Sequence, residues 1–135
     1  MNIYVDIDGV LLANEDYLSE GAAEFIKYIV DNHSVYWLTT HCMQGDATHA
    51  VQYLNRASEE DLTPWLNKFE PTIWSLKKTD AIDFSHSFIW YDDDCFSGER
   101  EALQAHDAEN NWHEVNLKDH PNQMVKELEY LKSLN

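Results

Sequence analysis

Residues 5–12 read VDIDGVLL and continue the apolar residues Ile3 and Tyr4. No other stretch limits the chain so strongly. An apolar run of this kind reads as a strand, and a strand sends alternate side chains to one side. Asp6 and Asp8 therefore share a side where the strand ends, and Gly9 lets the backbone turn away sharply behind them. Two carboxylates so placed repel each other unless a cation or a proton stands between them. The competing reading is a plain acidic turn after an edge strand. It holds only if nothing downstream answers these acids.

The pattern at residues 3–8 comes back twice. Val35, Tyr36, Trp37 and Leu38 form a β-rich run that stops at Thr39, Thr40 and His41. Ser87, Phe88, Ile89, Trp90 and Tyr91 form another, driving into Asp92, Asp93 and Asp94. Residues 112–117 give a last strand. Helical spacing fills the gaps. Ser19 is expected to cap a helix striped by Ala22, Phe25, Ile26, Ile29 and Val30, and Asp46 to cap one carrying Ala47, Ala50, Val51 and Leu54. A third helix starts at Ser97 or Gly98 and runs to about Ala105, and Pro121 at the N1 position opens a final one with Met124, Val125, Leu128 and Leu131 inward. Residues 11–18 show no period and read as a short excursion near the strand end, without a folded insert. Residues 63–74 are the least legible and are expected to hold a short helix and a strand. Lys77 and Lys78 precede a brief helix near Ala81 and Ile82. Trp37, Trp74 and Trp90 are read as core.

Strands alternating with helices predict an α/β chain, a three-layer Rossmann-like fold with a central, mainly parallel sheet and helices on both faces. At 135 residues, with 44% hydrophobic and 13% aromatic residues, the expectation is one folded domain over residues 1–135. Sites in such sheets form beyond the carboxyl ends of the strands. Right-handed crossovers would bring Asp6, Asp8, Thr39, Thr40, Lys77, Lys78, Asp92 and Asp93 to one rim. That set suits phosphoryl transfer. One carboxylate attacks phosphorus, a second gives a proton to the leaving oxygen, and a cation held by acids shields the repulsion between anions. A threonine hydroxyl and a lysine ammonium would hold phosphate oxygens.

The order of these motifs resembles the haloacid dehalogenase superfamily of hydrolases, as short motifs spread over most of the chain. Val5 to Val10 is similar to its first motif, which implies Asp6 as the nucleophile and Asp8 as the general acid and base. VYWLTTH is similar to the second, with Thr39 preferred over Thr40. Lys78, preferred over Lys77 because of the following TDAI, is similar to the third. FIWYDDD is similar to the fourth, implying Asp93 as a metal ligand with Asp92 beside it and Asp94 as a helper. In the family the cation is Mg²⁺, held by the nucleophile's carboxylate (Asp6), the backbone carbonyl of the second Asp (Asp8) and a motif-four acid. Response-regulator receivers share the letters, but they phosphorylate an Asp at a middle strand. The spacing leaves no room for a sizeable cap domain, so the resemblance implies a small capless member. Asp8 favours ester hydrolysis over dehalogenation, and the expected function is a Mg²⁺-dependent phosphatase. The alternatives are a non-catalytic binding module that keeps a metal site, and a nucleotidase or nucleic-acid end phosphatase.

Charge weighs against the last. Nine Lys and Arg face 25 Asp and Glu, a net charge of −16, which disfavours nucleic acid and anionic membranes. The expected partner is a phosphorylated substrate, small or macromolecular. With no long apolar span and no signal-peptide pattern, the chain is expected in the cytoplasm. Cys42 and Cys95 lack ligand spacing and are expected as reduced thiols. His41 adjoins the threonine pair, but seven scattered histidines give it an incidental role.

Overall fold

In the computed structural model, which describes residues 1–42 and 44–134, the apolar run at the N-terminus forms strand β1 (Asn2–Val5). A small antiparallel hairpin follows, β2 (Leu12–Asn14) and β3 (Tyr17–Leu18), then helix α1 (Ala22–Asn32) and strand β4 (Ser34–Trp37). Two helices, α2 (Thr48–Ala57) and α3 (Thr63–Leu66), and a 3₁₀ turn at Lys78–Ala81 lead to β5 (Phe88–Asp92). Helix α4 (Ser97–Ala105), β6 (Trp112–Glu114) and α5 (Gln123–Ser133) complete the chain.

Strands β4, β1, β5 and β6 lie in that order in one parallel sheet. The expected α/β architecture, a parallel sheet flanked by helices, is present. Strand periodicity divides the core in two. Ile3, Val5, Val35, Trp37, Ile89 and Tyr91 pack on one face with Phe25, Ile26 and Ile29 of α1 and Met124 and Leu131 of α5. Tyr4, Phe88 and Trp90 point to the other face, against Leu103 of α4. Burial on both faces is why β1 and β5 are apolar throughout, and it fixes their register, because a slip of one residue would exchange the two cores. It also fixes where their acids emerge.

Several local expectations need correcting. Residues 11–18 do fold, as the β2–β3 hairpin, whose tip is set by Asn14 Oδ1 accepting the Asp16 N–H at 2.9 Å. Ser19 does not cap α1. Its hydroxyl donates to the carbonyls of Val10 and Leu11 at 2.7 and 3.2 Å, tying the hairpin's base to the turn after β1, and Gly21 at φ +78° precedes the helix. Pro121 lies two residues ahead of α5 instead of at N1. The strand expected in residues 63–74 reduces to isolated bridges of Glu70 to Tyr36 and of Ile73 to Gln44. β6 is shorter than expected, ending at Glu114. Asp46 is not the N-cap of α2, which is Ala47; it lies one residue earlier, and its Oδ1 accepts the Thr48 N–H at 2.9 Å.

Candidate functional site

The carboxyl ends of β1 and β5 are neighbours in the sheet, with Val5 level with Tyr91. Asp6 and Asp92 therefore leave adjacent strands side by side, and both are buried. The 3₁₀ turn begins at Lys78 and sends its ammonium between them, 3.1 Å from Asp6 Oδ2 and 2.6 Å from Asp92 Oδ2. Charge-assisted bonds this short need fixed partners, and each partner is fixed. Asp6 Oδ1 accepts the Ile7 N–H at 2.8 Å. Asp92 Oδ2 also accepts from the Trp90 indole at 3.2 Å. Glu99, buried in the first turn of α4, accepts the Lys78 N–H at 2.8 Å with one oxygen and the Phe96 N–H at 3.1 Å with the other.

The electrostatics follow from burial. Loss of water pushes Asp92 well above the usual carboxylate range, and the Asp6 charge pushes it further, against the pull of Lys78. Burial alone would lower Lys78, but Asp6 and Asp92 outweigh it and hold the ammonium above its ordinary value.

Asp93 completes the cluster. One carboxylate oxygen from each of Asp6, Asp92 and Asp93 lies within 4.8 Å of the others, an arrangement that could hold a metal ion. Gly9 makes room for it. Its φ is +76°, and a Cβ there would stand 2.5 Å from Asp93 Oδ2. Three carboxyl groups with hard oxygen donors gathered this closely suit a hard divalent cation.

Asp8 is elsewhere. Its carboxylate accepts a hydrogen bond from Tyr53 of α2 at 3.0 Å on Oδ1 and lies 2.8 Å from His41 Nε2 on Oδ2. Burial, then the Asp8 carboxylate, push the Tyr53 phenol above its ordinary value, so it stays protonated and donates.

Of the residues singled out from sequence, Asp6, Lys78, Asp92 and Asp93 come together, while Asp8 meets Tyr53 and His41 instead. Lys77 does not join them. It is exposed, and its side chain lies along Gly98 of α4. The threonines divide differently from expectation. Thr39 is fully buried, with its hydroxyl oxygen accepting the His41 N–H at 3.3 Å, and Thr40 lines the cleft. Asp94 lines it too, but spends Oδ1 on the Cys95 N–H at 2.8 Å. Trp74, read as core, packs half-buried against the core around Tyr4 and Trp90 and also lines the cleft with the exposed Leu76 and Phe96. The cleft over Asp6 and Lys78 has a volume of about 250 Å³. A roomier one, about 580 Å³ between the β2–β3 hairpin and the end of α2, holds none of these residues, so size does not identify the site here.

The sequence assigns no site role to His41, Tyr53, Trp90 or Glu99; Trp90, read as core, is fully buried in it and also donates to Asp92. His41, read as incidental, is in contact with Asp8. Glu99 had a signal, an acid in the first turn of an expected helix where it meets free N–H groups. Tyr53 and Trp90 had none, since an aromatic in a helical stripe or a strand reads as core.

No family model, curated protein or solved structure matches the chain. Among the described residues, no helix is long and apolar enough to cross a membrane.

Proposed function

We propose that this chain is a Mg²⁺-dependent phosphatase of the haloacid dehalogenase type, without a sizeable cap, that hydrolyses a phosphate monoester through an aspartyl phosphate. The observation that carries the reading is the lysine-bridged pair, Asp6 at the end of central strand β1 and Asp92 at the end of its neighbour, with Asp8 two residues after Asp6 in the chain.

The roles follow from these surroundings. The Asp6 carboxylate forms a bond to phosphorus while the ester P–O bond breaks, and Asp8 gives its proton to the departing oxygen. Water then attacks phosphorus and loses its proton to Asp8, and the bond to Asp6 breaks, releasing phosphate and restoring both acids. Lys78 orients Asp6 and offers positive charge to the incoming phosphate. Thr40, on the cleft wall, is placed to hold a phosphate oxygen. Asp6, Asp92 and Asp93 are the residues that would hold Mg²⁺, which when bound neutralises charge on the phosphate. Beyond the phosphate, a substrate meets the carbon of Trp74, Leu76 and Phe96.

Aryl phosphates are therefore the assay of choice. Hydrolysis of a panel of them is expected with Mg²⁺, to be lost on chelation, and to fall to background in Asp6→Asn, which keeps the shape and removes the nucleophile. Retained turnover in that variant refutes the assignment. A chain that is stabilised by Mg²⁺ and turns over none of the panel is instead a binding module.

A further inference from the structure

His41 and Tyr53 come from different elements, the 3₁₀ turn at Thr40–Cys42 and helix α2, yet they converge on one exposed carboxylate. Each takes a different oxygen of Asp8. Their rings also pack together, with centroids 4.5 Å apart, and His49, one helical turn before Tyr53, stacks on both at 5.1 and 5.8 Å. An aspartate that is 57% exposed has no packing of its own to choose its rotamer. Here the choice is made from outside, by two polar contacts built on three packed rings. From the other side, the Thr39 hydroxyl accepts the His41 N–H and fixes the backbone that carries the imidazole.

Resting on the phosphatase reading above, the geometry points to His41 and Tyr53 as positioning residues that hold Asp8 where it meets the leaving-group oxygen. The pair serves both halves of the reaction. Tyr53 donates to Oδ1 throughout. His41 Nε2 stands 2.8 Å from Oδ2, a second polar contact on the other oxygen. Neither residue lines the cleft over Asp6 and Lys78. Their effect is expected only where Asp8's proton matters.

That restriction supplies the test. A phenyl phosphate needs a proton on its leaving oxygen, whereas the acidic phenol of 2,4-dinitrophenyl phosphate departs without one. General acid catalysis contributes about 10²–10⁴-fold, so loosening the acid is expected to cost about tenfold or more in kcat/KM on phenyl phosphate and no more than about twofold on the dinitrophenyl ester. Tyr53→Phe keeps the ring stack and removes only the donor. His41→Ala removes the other contact, and His41→Gln, which supplies a side-chain amide in place of the ring nitrogen, is expected to recover part of the loss. In an Asp8→Asn background Tyr53→Phe should add almost nothing, because residues acting as one unit are not additive. Equal losses on the two esters, or a full Tyr53→Phe loss on top of Asp8→Asn, overturn the inference while leaving the phosphatase reading intact. A wild type that hydrolyses neither ester overturns both.

Discussion

Asp6 and Asp8 leave one strand end two residues apart and work in different solvents. The Asp6 side chain is 11% exposed and shares a buried ammonium with Asp92. The Asp8 side chain is 57% exposed and is held by an aromatic stack at the surface. The difference comes from the strand. Its last residues, Tyr4 and Val5, are buried on opposite faces, so the acid that follows directly stays in the sheet's shadow, and the one past Ile7 emerges. A nucleophile gains from fixed surroundings in low dielectric, while an acid that must exchange protons with water gains from exposure.

The two regions should therefore fail differently. Lys78→Met leaves two carboxylates buried together without a partner, and removing one member of a buried ionic cluster costs about 3–5 kcal/mol. Urea unfolding in a chelator is expected to show most of that loss, with activity gone as well. An unchanged midpoint would mean that Asp6 and Asp92 are not electrostatically tied to the fold. Asp8→Asn is the opposite case. It is expected to lower turnover of phenyl phosphate by about 10²–10⁴-fold and to move stability by no more than about 0.5 kcal/mol, as for exposed positions generally. A large loss of stability there would erase the contrast.

Gly9 joins the regions, and its substitution should give a smaller, mixed result. Alanine at φ +76° costs about 1–2 kcal/mol of backbone strain. Its Cβ would also push the Asp93 carboxylate aside, so Gly9→Ala is expected to weaken Mg²⁺ binding, read by calorimetry, more than it lowers stability. The smallest effect belongs to a buried group with no opposite charge. Burial raises the Cys42 thiol above its ordinary value, with a smaller push from Asp46. The folded protein then holds a proton that the unfolded chain gives up near pH 8.5. Cys42 therefore contributes its full stability below that pH, and the contribution is lost as pH rises beyond it. Cys42→Ala is expected to flatten the alkaline limb of stability against pH. A limb that stays equally steep would contradict a buried neutral thiol.

How much of this was legible follows the same physics. β1 and β5 could be read because strands buried on both faces must be apolar throughout, and the acids at their ends break that rule visibly. The hairpin at residues 11–18 could not be read because two strands of three and two residues carry no period. Lys77 and Lys78 are equivalent as letters. What separates them is the Glu99 carboxylate, 21 residues downstream, which takes the Lys78 N–H and sets the start of the 3₁₀ turn. Thr39 and Thr40 are likewise told apart only by the turn at Thr40–Cys42, which buries the first and opens the second to the cleft. His41 and Tyr53 depend on α2 packing beside that turn, a tertiary fact that spacing does not record.

The central claim is that Asp6 carries the phosphoryl group, and rapid quenching tests it most directly. Wild-type protein mixed with an aryl phosphate and Mg²⁺, stopped in acid during turnover and mapped by mass spectrometry, is expected to bear a hydroxylamine-labile phosphoryl group on the peptide containing Asp6. Asp6→Asn should bear none. Steady turnover with no label on that peptide, or with the label on another residue, would contradict it.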